Sequence, residues 1–300
     1  MAKRLERILP ALLLGAVCVS AIGQTATADR AAESRAQPLS QDQLRALIRQ
    51  AVEKDLANEK QARDYTYLER EEKRNLDGNG RVKSTEIRTH EIMILYDEPV
   101  ARLVAKDDKA LAAGEAAKED ARIQKLIDKR KNESEEDRRK RLEKQEKEQE
   151  ENRQFETEIG DAYNFRLAGM EEMAGRAAYV IDADPRPGFE PHLKDAKFLP
   201  KFRFRVWIDQ ASGDWAKINL ECIDTASVGL FLARIHKGSN IHIEQVRVND
   251  EVWLPKHIAL QLDARVLLFK GLNLEEDVTY RDYRKFRADT RIVPAGTASK

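Results

Sequence analysis

DYTYLEREEKRNLDGNGRVKSTEIRTHEIMILY, residues 64–96, changes chemistry with a period of two on either side of Asp77-Gly78-Asn79-Gly80. A period of two sends successive side chains to opposite faces of a strand, and a Gly-rich Asp/Asn turn between two such runs closes an antiparallel hairpin. The same four residues resemble the start of a calcium loop, but that loop needs Gly at its sixth position and Glu at its twelfth. Val82 and Arg88 stand there instead, so the hairpin reading wins. Many outward positions are charged, as on a sheet with one wet face.

Working outward, the strand pattern resumes at VARLVAKDD after Pro99, and again from Phe165 to about Phe286. Turn signals such as Ala174-Gly175-Arg176, Ser212-Gly213-Asp214, Lys237-Gly238-Ser239-Asn240 and Asn249-Asp250 separate these later runs. No alternation of strand and helix is present, so one meandering antiparallel sheet is expected. Two helical regions accompany the strands, one ahead of them and one between them. SQDQLRALIRQAVEKDL opens with a capping box, Ser40 to Gln43, and sets Leu44, Leu47, Ile48, Ala51, Val52 and Leu56 on one face. Residues 112–158 form a charged helical insertion, broken near Lys131-Asn132-Glu133-Ser134. The fold class that follows is α+β: a single antiparallel sheet whose apolar face is covered by helices.

Length and composition agree. With 300 residues and 41% hydrophobic content the chain can bury a real core. Lys plus Arg and Asp plus Glu are equal at 53 each, so no excess of positive charge exists to bind nucleic acid. The first residues carry Lys3, Arg4 and Arg7, then an apolar run from Ile8 to Ile22, then small residues. This is the pattern of a cleaved signal peptide over residues 1–28, cut near 23 or 28, and it predicts a periplasmic protein. The run is shorter than the ~20 residues that span a bilayer, so no transmembrane segment is expected after cleavage. Cys18 sits in a poor lipobox and is not expected to carry a lipid. Residues 29–38 read as a flexible leader, 39–290 as one domain, and 291–300 as a tail.

Within Glu133 to Glu156 the only large apolar residues are Leu142 and Phe155, too few for a coiled-coil seam. The stretch reads as a solvated helix supported by Glu135–Arg139, Glu136–Lys140, Asp137–Arg141 and Glu143–Lys147 pairs. A spacer is the first reading of it, and a surface for an envelope protein partner the second.

Catalytic and cofactor chemistry finds no complete set. His90, His192, His236, His242 and His257 lack paired zinc-ligand spacing, and no nucleophile elbow, phosphate loop or dinucleotide fingerprint occurs. No cofactor is expected and the chain is not read as an enzyme. Asp182 and Asp184 read as solvated charges, and Cys222 as a small core residue.

The apolar pattern is more telling. Phe202, Phe204, Val206 and Ile208 share one strand face; Ile258, Leu260, Leu262, Ala264, Val266 and Leu268 share another; Asp224 to Ala233 adds an apolar patch around Leu230. Such a face needs helices or a guest over it. If a guest binds there, Phe204, Val206, Ile218, Leu220, Leu230, Leu260 and Leu262 are the expected ligand-binding residues. A core sealed by the Ser40 helix alone is the other reading of the same pattern.

FRLAGMEEMAGRAAYVIDADPRPGF, FRVWIDQASGDWAKI, HKGSNIHIEQVRVNDEVWLPKHI and VTYRDYRKF, in this order after an amphipathic helix and long hairpins, resemble the LolA-like outer-membrane lipoprotein-sorting proteins. Gly169, Gly175-Arg176, Ala178 to Ile181, Trp207-Ile208-Asp209, Trp253-Leu254-Pro255 and Tyr280 to Phe286 carry the resemblance. It implies a strongly curved, incomplete β-barrel whose concave apolar face is plugged by helices. It also implies partners in the form of lipid or lipoprotein acyl chains.

Overall fold

The computed structural model describes residues 39–96, 98–228, 233–266 and 270–285. The signal region, the leader, Leu230, Leu268 and the tail lie outside the described residues.

The Ser40 helix forms as α1, Gln41–Ala62. Its capping box is complete: the Gln43 N–H donates to Ser40 Oγ at 3.3 Å, and the Ser40 N–H donates to Gln43 Oε1 at 2.8 Å. β1 (Tyr65–Leu76) and β2 (Val82–Leu95) follow as the hairpin, with Gly80 at φ +77° in a turn where Asp77 Oδ1 accepts from the N–H groups of Asn79 and Arg81. β3 (Glu98–Lys106) and the two-residue β4 (Lys109–Ala110) extend it. The insertion then supplies α2 (Ala113–Lys131) and α3 (Glu135–Ala162). Ser134 caps α3 by accepting from the Asp137 N–H, so the break in the charged segment falls where its polar residues place it.

The remaining strands are β5 (Tyr163–Met173), β6 (Arg176–Pro185), β7 (Phe202–Asp209), β8 (Trp215–Cys222), β9 (Ala226–Val228), β10 (Ala233–Ile235), β11 (Asn240–Val248), β12 (Val252–Val266) and β13 (Lys270–Lys285). A 3-10 helix, Lys194–Lys201, precedes β7. All pair antiparallel in one sheet of 13 strands, in the order β4-β3-β2-β1-β13-β12-β11-β8-β7-β6-β5, with the β9–β10 hairpin joined to β12. The two ends of that order do not meet, so the sheet is not closed into a barrel. It is a meander except at two joints: β8 pairs β11 past the β9–β10 hairpin, and the leading hairpin docks beside the last strand through β1–β13.

The main core lies between one face of this sheet and three helical pieces. Leu44, Ile48 and Ala51 of α1, Phe155 and Ala162 of α3, and Ala196, Phe198 and Leu199 of the 3-10 helix meet Phe165, Ile181, Val206, Ile208, Ile243, Ile258 and Val278 of the strands. Cys222 is fully buried in this cluster, and burial pushes its thiol pKa up.

The charged stretch of residues 133–156 behaves as a solvated helix only in its first part. Lys140 pairs with Glu136 at 2.6 Å as expected, whereas Arg139 turns to Glu143 and Lys147 to Glu151. Arg141 reaches instead to Glu133 and to Glu98 of β3, and Arg130 of α2 binds the same two carboxylates. This four-residue network fastens the α2–α3 turn to the sheet. Further on, Phe155 is only 4% exposed and stacks on Phe198, so the last third of α3 belongs to the core rather than to a spacer.

Candidate functional site

Register builds the site. Phe204 of β7 stands opposite Leu220 of β8, which stands opposite Ile241 of β11; one row over, Val206 pairs Ile218, which pairs Ile243. Because side chains repeat every two residues, both rows face the helices. The apolar stripe of α1 supplies Ile48, Ala51 and Val52 from above, and α3 supplies Phe155 and Ile159. Between them lies an apolar cavity of about 170 Å³, finished by Tyr163, Leu199 and Trp215. Phe204 packs edge-on to Tyr163 with ring centroids 4.8 Å apart, and the Tyr163 hydroxyl donates to the Leu199 carbonyl at 2.8 Å. Desolvation raises the Tyr163 pKa, so this hydroxyl stays a neutral donor.

α1 is fastened over this cavity at both ends by side-chain amides that imitate a strand. Gln41 donates to the Phe165 carbonyl and accepts from the Phe165 N–H at 3.2 Å, on the edge strand β5. Asn58 donates to the Trp253 carbonyl at 2.6 Å and accepts from its N–H at 2.8 Å. Each amide satisfies one donor and one acceptor of the backbone.

The one charged group in the cavity wall is Asp55 of α1. Burial pushes its carboxyl up to about 7; the polar Trp215 indole and Gln245 amide beside it oppose the shift, while Glu59 and Asp214 add to it. Glu59, one turn on, is itself raised by burial and partly relieved by Arg63.

Of the residues expected from sequence, Phe204, Ile218 and Leu220 line the cavity. Val206 shares their face but is sealed into the core beside them. Leu260 and Leu262 continue the rows on β12, packed with Leu274 rather than in the cavity wall. Leu230 lies outside the described residues. The helical contributors Val52, Asp55, Phe155 and Ile159 were not among the expected residues. The only signal in sequence was their spacing: Val52 and Asp55 three apart on α1, Phe155 and Ile159 four apart on α3.

The other chemical candidates resolve into structure. Asp182 is held below the usual carboxylate range by the Arg205 guanidinium, with Arg166 on its other oxygen, so it is a paired charge rather than half of an acid/base couple. Asp209 is 2% exposed and takes both arms of Arg176, at 2.6 and 2.8 Å, together with the Ser212 N–H at 2.7 Å. Burial raises its pKa, but these donors more than offset that and leave it lowered. Two pieces of the family resemblance, Gly175-Arg176 and Trp207-Ile208-Asp209, are therefore joined by an ion pair, half-buried on its Arg176 side, that ties two hairpin turns together. Among the described residues no group of His, Cys, Asp and Glu is arranged to hold a metal, and no helix is long and apolar enough to cross a membrane.

No family model and no curated protein matches the sequence. Solved structures do match. A DUF1329 family protein from Desulfovibrio piger is 10% identical, with 82% of this chain and 94% of that one covered at a TM-score of 0.29. A domain from Vibrio parahaemolyticus, described as an outer membrane lipoprotein-sorting protein, is 11% identical, covers 82% and 95%, and scores 0.31. The LolA superfamily protein NE2245 from Nitrosomonas europaea is 10% identical, covers 77% and 91%, and scores 0.24.

Proposed function

We propose that this protein is a non-enzymatic periplasmic carrier or binding protein that holds the acyl chain of a lipid or lipidated protein between its sheet and its helices. The observation that carries the reading is the cavity bounded by Phe204, Ile218, Leu220, Ile241 and Ile243 below and by α1 and α3 above. Its size is close to that of an apolar cavity of about 150 Å³ that stays dry and binds benzene. Affinity comes from covering methylenes, about 0.8 kcal/mol each. As it stands the cavity takes the end of one chain, and a longer guest must spread the helices.

Mass spectrometry of gently isolated protein tests this. Copurified lipid in the wild type, lost on Leu220→Trp, is the expected result. A ligand-free preparation that also fails to take up a long-chain alcohol would sink the reading.

A second reading has one observation in its favour. The Glu98–Arg130–Glu133–Arg141 network holds the α2–α3 turn rigid, and just beyond it Leu142 stands 43% exposed among Arg138, Arg139 and Glu143. That is a presented surface suited to a protein partner in the envelope. Deleting residues 112–158 would test it badly, because Phe155 would go as well. Arg138→Glu with Leu142→Ala changes the surface alone; a loss of partner capture with lipid uptake intact supports this role.

A further inference from the structure

A guest that only needs apolar cover would be served best by a wholly apolar wall, and this wall is not one. Asp55 enters it from α1, between Ala51 and the next turn, with its carboxyl turned to Trp215 of β8 and Gln245 of β11. Both of these are neutral donors. The charged groups that act on Asp55 are Glu59 from the same helix and Asp214 from the β7–β8 turn, and both are acids. Arg63 acts on Glu59, and Lys54 lies against Gly213 of that turn; among the described residues neither forms an ion pair with Asp55. A carboxylate in an apolar recess without a countercharge is costly, and a cation delivered to it by a guest removes that cost. A guest that brings a carboxylate or phosphate to the same point meets three like charges.

We infer that Asp55 is a head-group subsite, and that the cavity selects amphiphiles whose apolar chain ends in a primary ammonium. This rests on the apolar-guest reading above and names the class of guest. The chain lies along Phe204, Leu220 and Ile241, and the ammonium donates to Asp55 beside the Trp215 indole. An alcohol of the same length binds more weakly, because a neutral donor does not compensate the charge. A carboxylate binds worst. The advantage of the amine depends on Asp55 being ionised, so it fades as Asp55 takes up its proton below neutral pH.

The Trp215 indole N–H is a built-in reporter. The full chain, labelled with 15N at tryptophan, is titrated with hexylamine, hexanol and hexanoate near pH 8, and the Trp215 indole resonance is followed. The six-carbon length suits a cavity of about 170 Å³. Hexylamine is expected to half-saturate at a concentration about tenfold below hexanol, the size of one charge-assisted hydrogen bond, with hexanoate weakest. Asp55→Asn should bring hexylamine to within about twofold of hexanol. In wild type the amine advantage should vanish near pH 5, which decides the matter even if the variant does not fold. Hexanol binding with no preference for the amine overturns this subsite while leaving the apolar cavity standing. If none of the three moves the Trp215 resonance, the apolar-guest reading falls and the subsite with it.

Discussion

Replacing Asp55 by Asn should make the protein more stable above neutral pH, and the gain should grow with pH. A carboxyl whose folded pKa is raised holds its proton in the native state while the unfolded chain has lost it. Between its ordinary 3.8 and about 7, native stability therefore falls as pH rises, by ~1.4 kcal/mol per unit, and above about 7 the loss is complete. The full shift corresponds to about 4 kcal/mol, an upper bound. Asp55 is only partly shielded by its neighbours, and water reaching it would bring the figure to about 2 kcal/mol. Asn keeps an acceptor for Trp215 or Gln245 and carries no charge, so it costs about 1 kcal/mol or less where Asp55 is itself neutral. Urea unfolding of both proteins at about pH 4.5, 6 and 8 reads the difference. Glu69 and Glu276, also raised by burial, lie on β1 and β13 and cancel in the comparison. The expected gain runs from near zero at the acid end to about 2–4 kcal/mol at pH 8. A gain that is the same at every pH, or a variant less stable than wild type at pH 8, refutes the reasoning. A carboxylate kept at such a cost is the kind of group that binding sites retain.

Two further outcomes follow from the geometry. Arg176→Met leaves Asp209 charged, buried and unpaired, and should cost about 3–5 kcal/mol near neutral pH. In wild type the contribution of Asp209 is present above its ordinary pKa and is lost as pH falls through its lowered folded value, so the deficit of the variant should shrink in acid; thermal unfolding across pH checks this, and adding Asp209→Leu should recover most of the loss. Gln41→Ala with Asn58→Ala removes the two amide clamps; the Phe165 and Trp253 amides should lose hydrogen-exchange protection by roughly tenfold or more while the centre of β7 keeps its own, and unchanged exchange would mean that the clamps do not hold α1 down.

The sheet was legible because its signals are local. The turn at Asp77 to Gly80, the caps at Ser40 and Ser134 and the alternation of Phe202 to Ile208 each act within a few residues, and each element formed as they indicate. The wall of the cavity was only half legible. Phe204, Ile218 and Leu220 belong to clear strand patterns, whereas Phe155 and Ile159 straddle the end of a charged run, where four-residue spacing is hard to tell from chance. Asp55 looked like one more polar residue of an amphipathic helix. Its character depends on Trp215 and Gln245, which strand register alone brings to it. The clamps were invisible for the same reason: Gln41 and Asn58 find backbone partners 124 and 195 residues away.

Register also sets how far the apolar face reaches. Followed strand to strand, one row runs Phe165, Ala183, Phe204, Leu220, Ile241, Leu260, and then turns polar at Glu276, Lys73 and Glu86; the next runs Leu167, Ile181, Val206, Ile218, Ile243, Ile258, Val278, and then Glu71 and Arg88. Both rows change character where the leading hairpin docks on β13. There burial pushes the Glu276 carboxyl up to about 7, and the hydrogen bond and charge of Glu71 add to the shift. On the proposed function, a chain extending along a row gains about 0.8 kcal/mol per covered methylene until it reaches this pair, and nothing beyond it. On that reading the leading hairpin is a charged extension of the sheet and not part of the guest's wall. A guest that spreads the helices can lengthen toward β5 but not toward β1, so the limit on chain length is set by the chemistry of β13 rather than by the lids. Converting Glu71 and Glu276 together to Leu should move that limit, and the uptake of n-alcohols of increasing length would show it as a shift to longer preferred chains; an unchanged preference would place the limit in α1 and α3 instead.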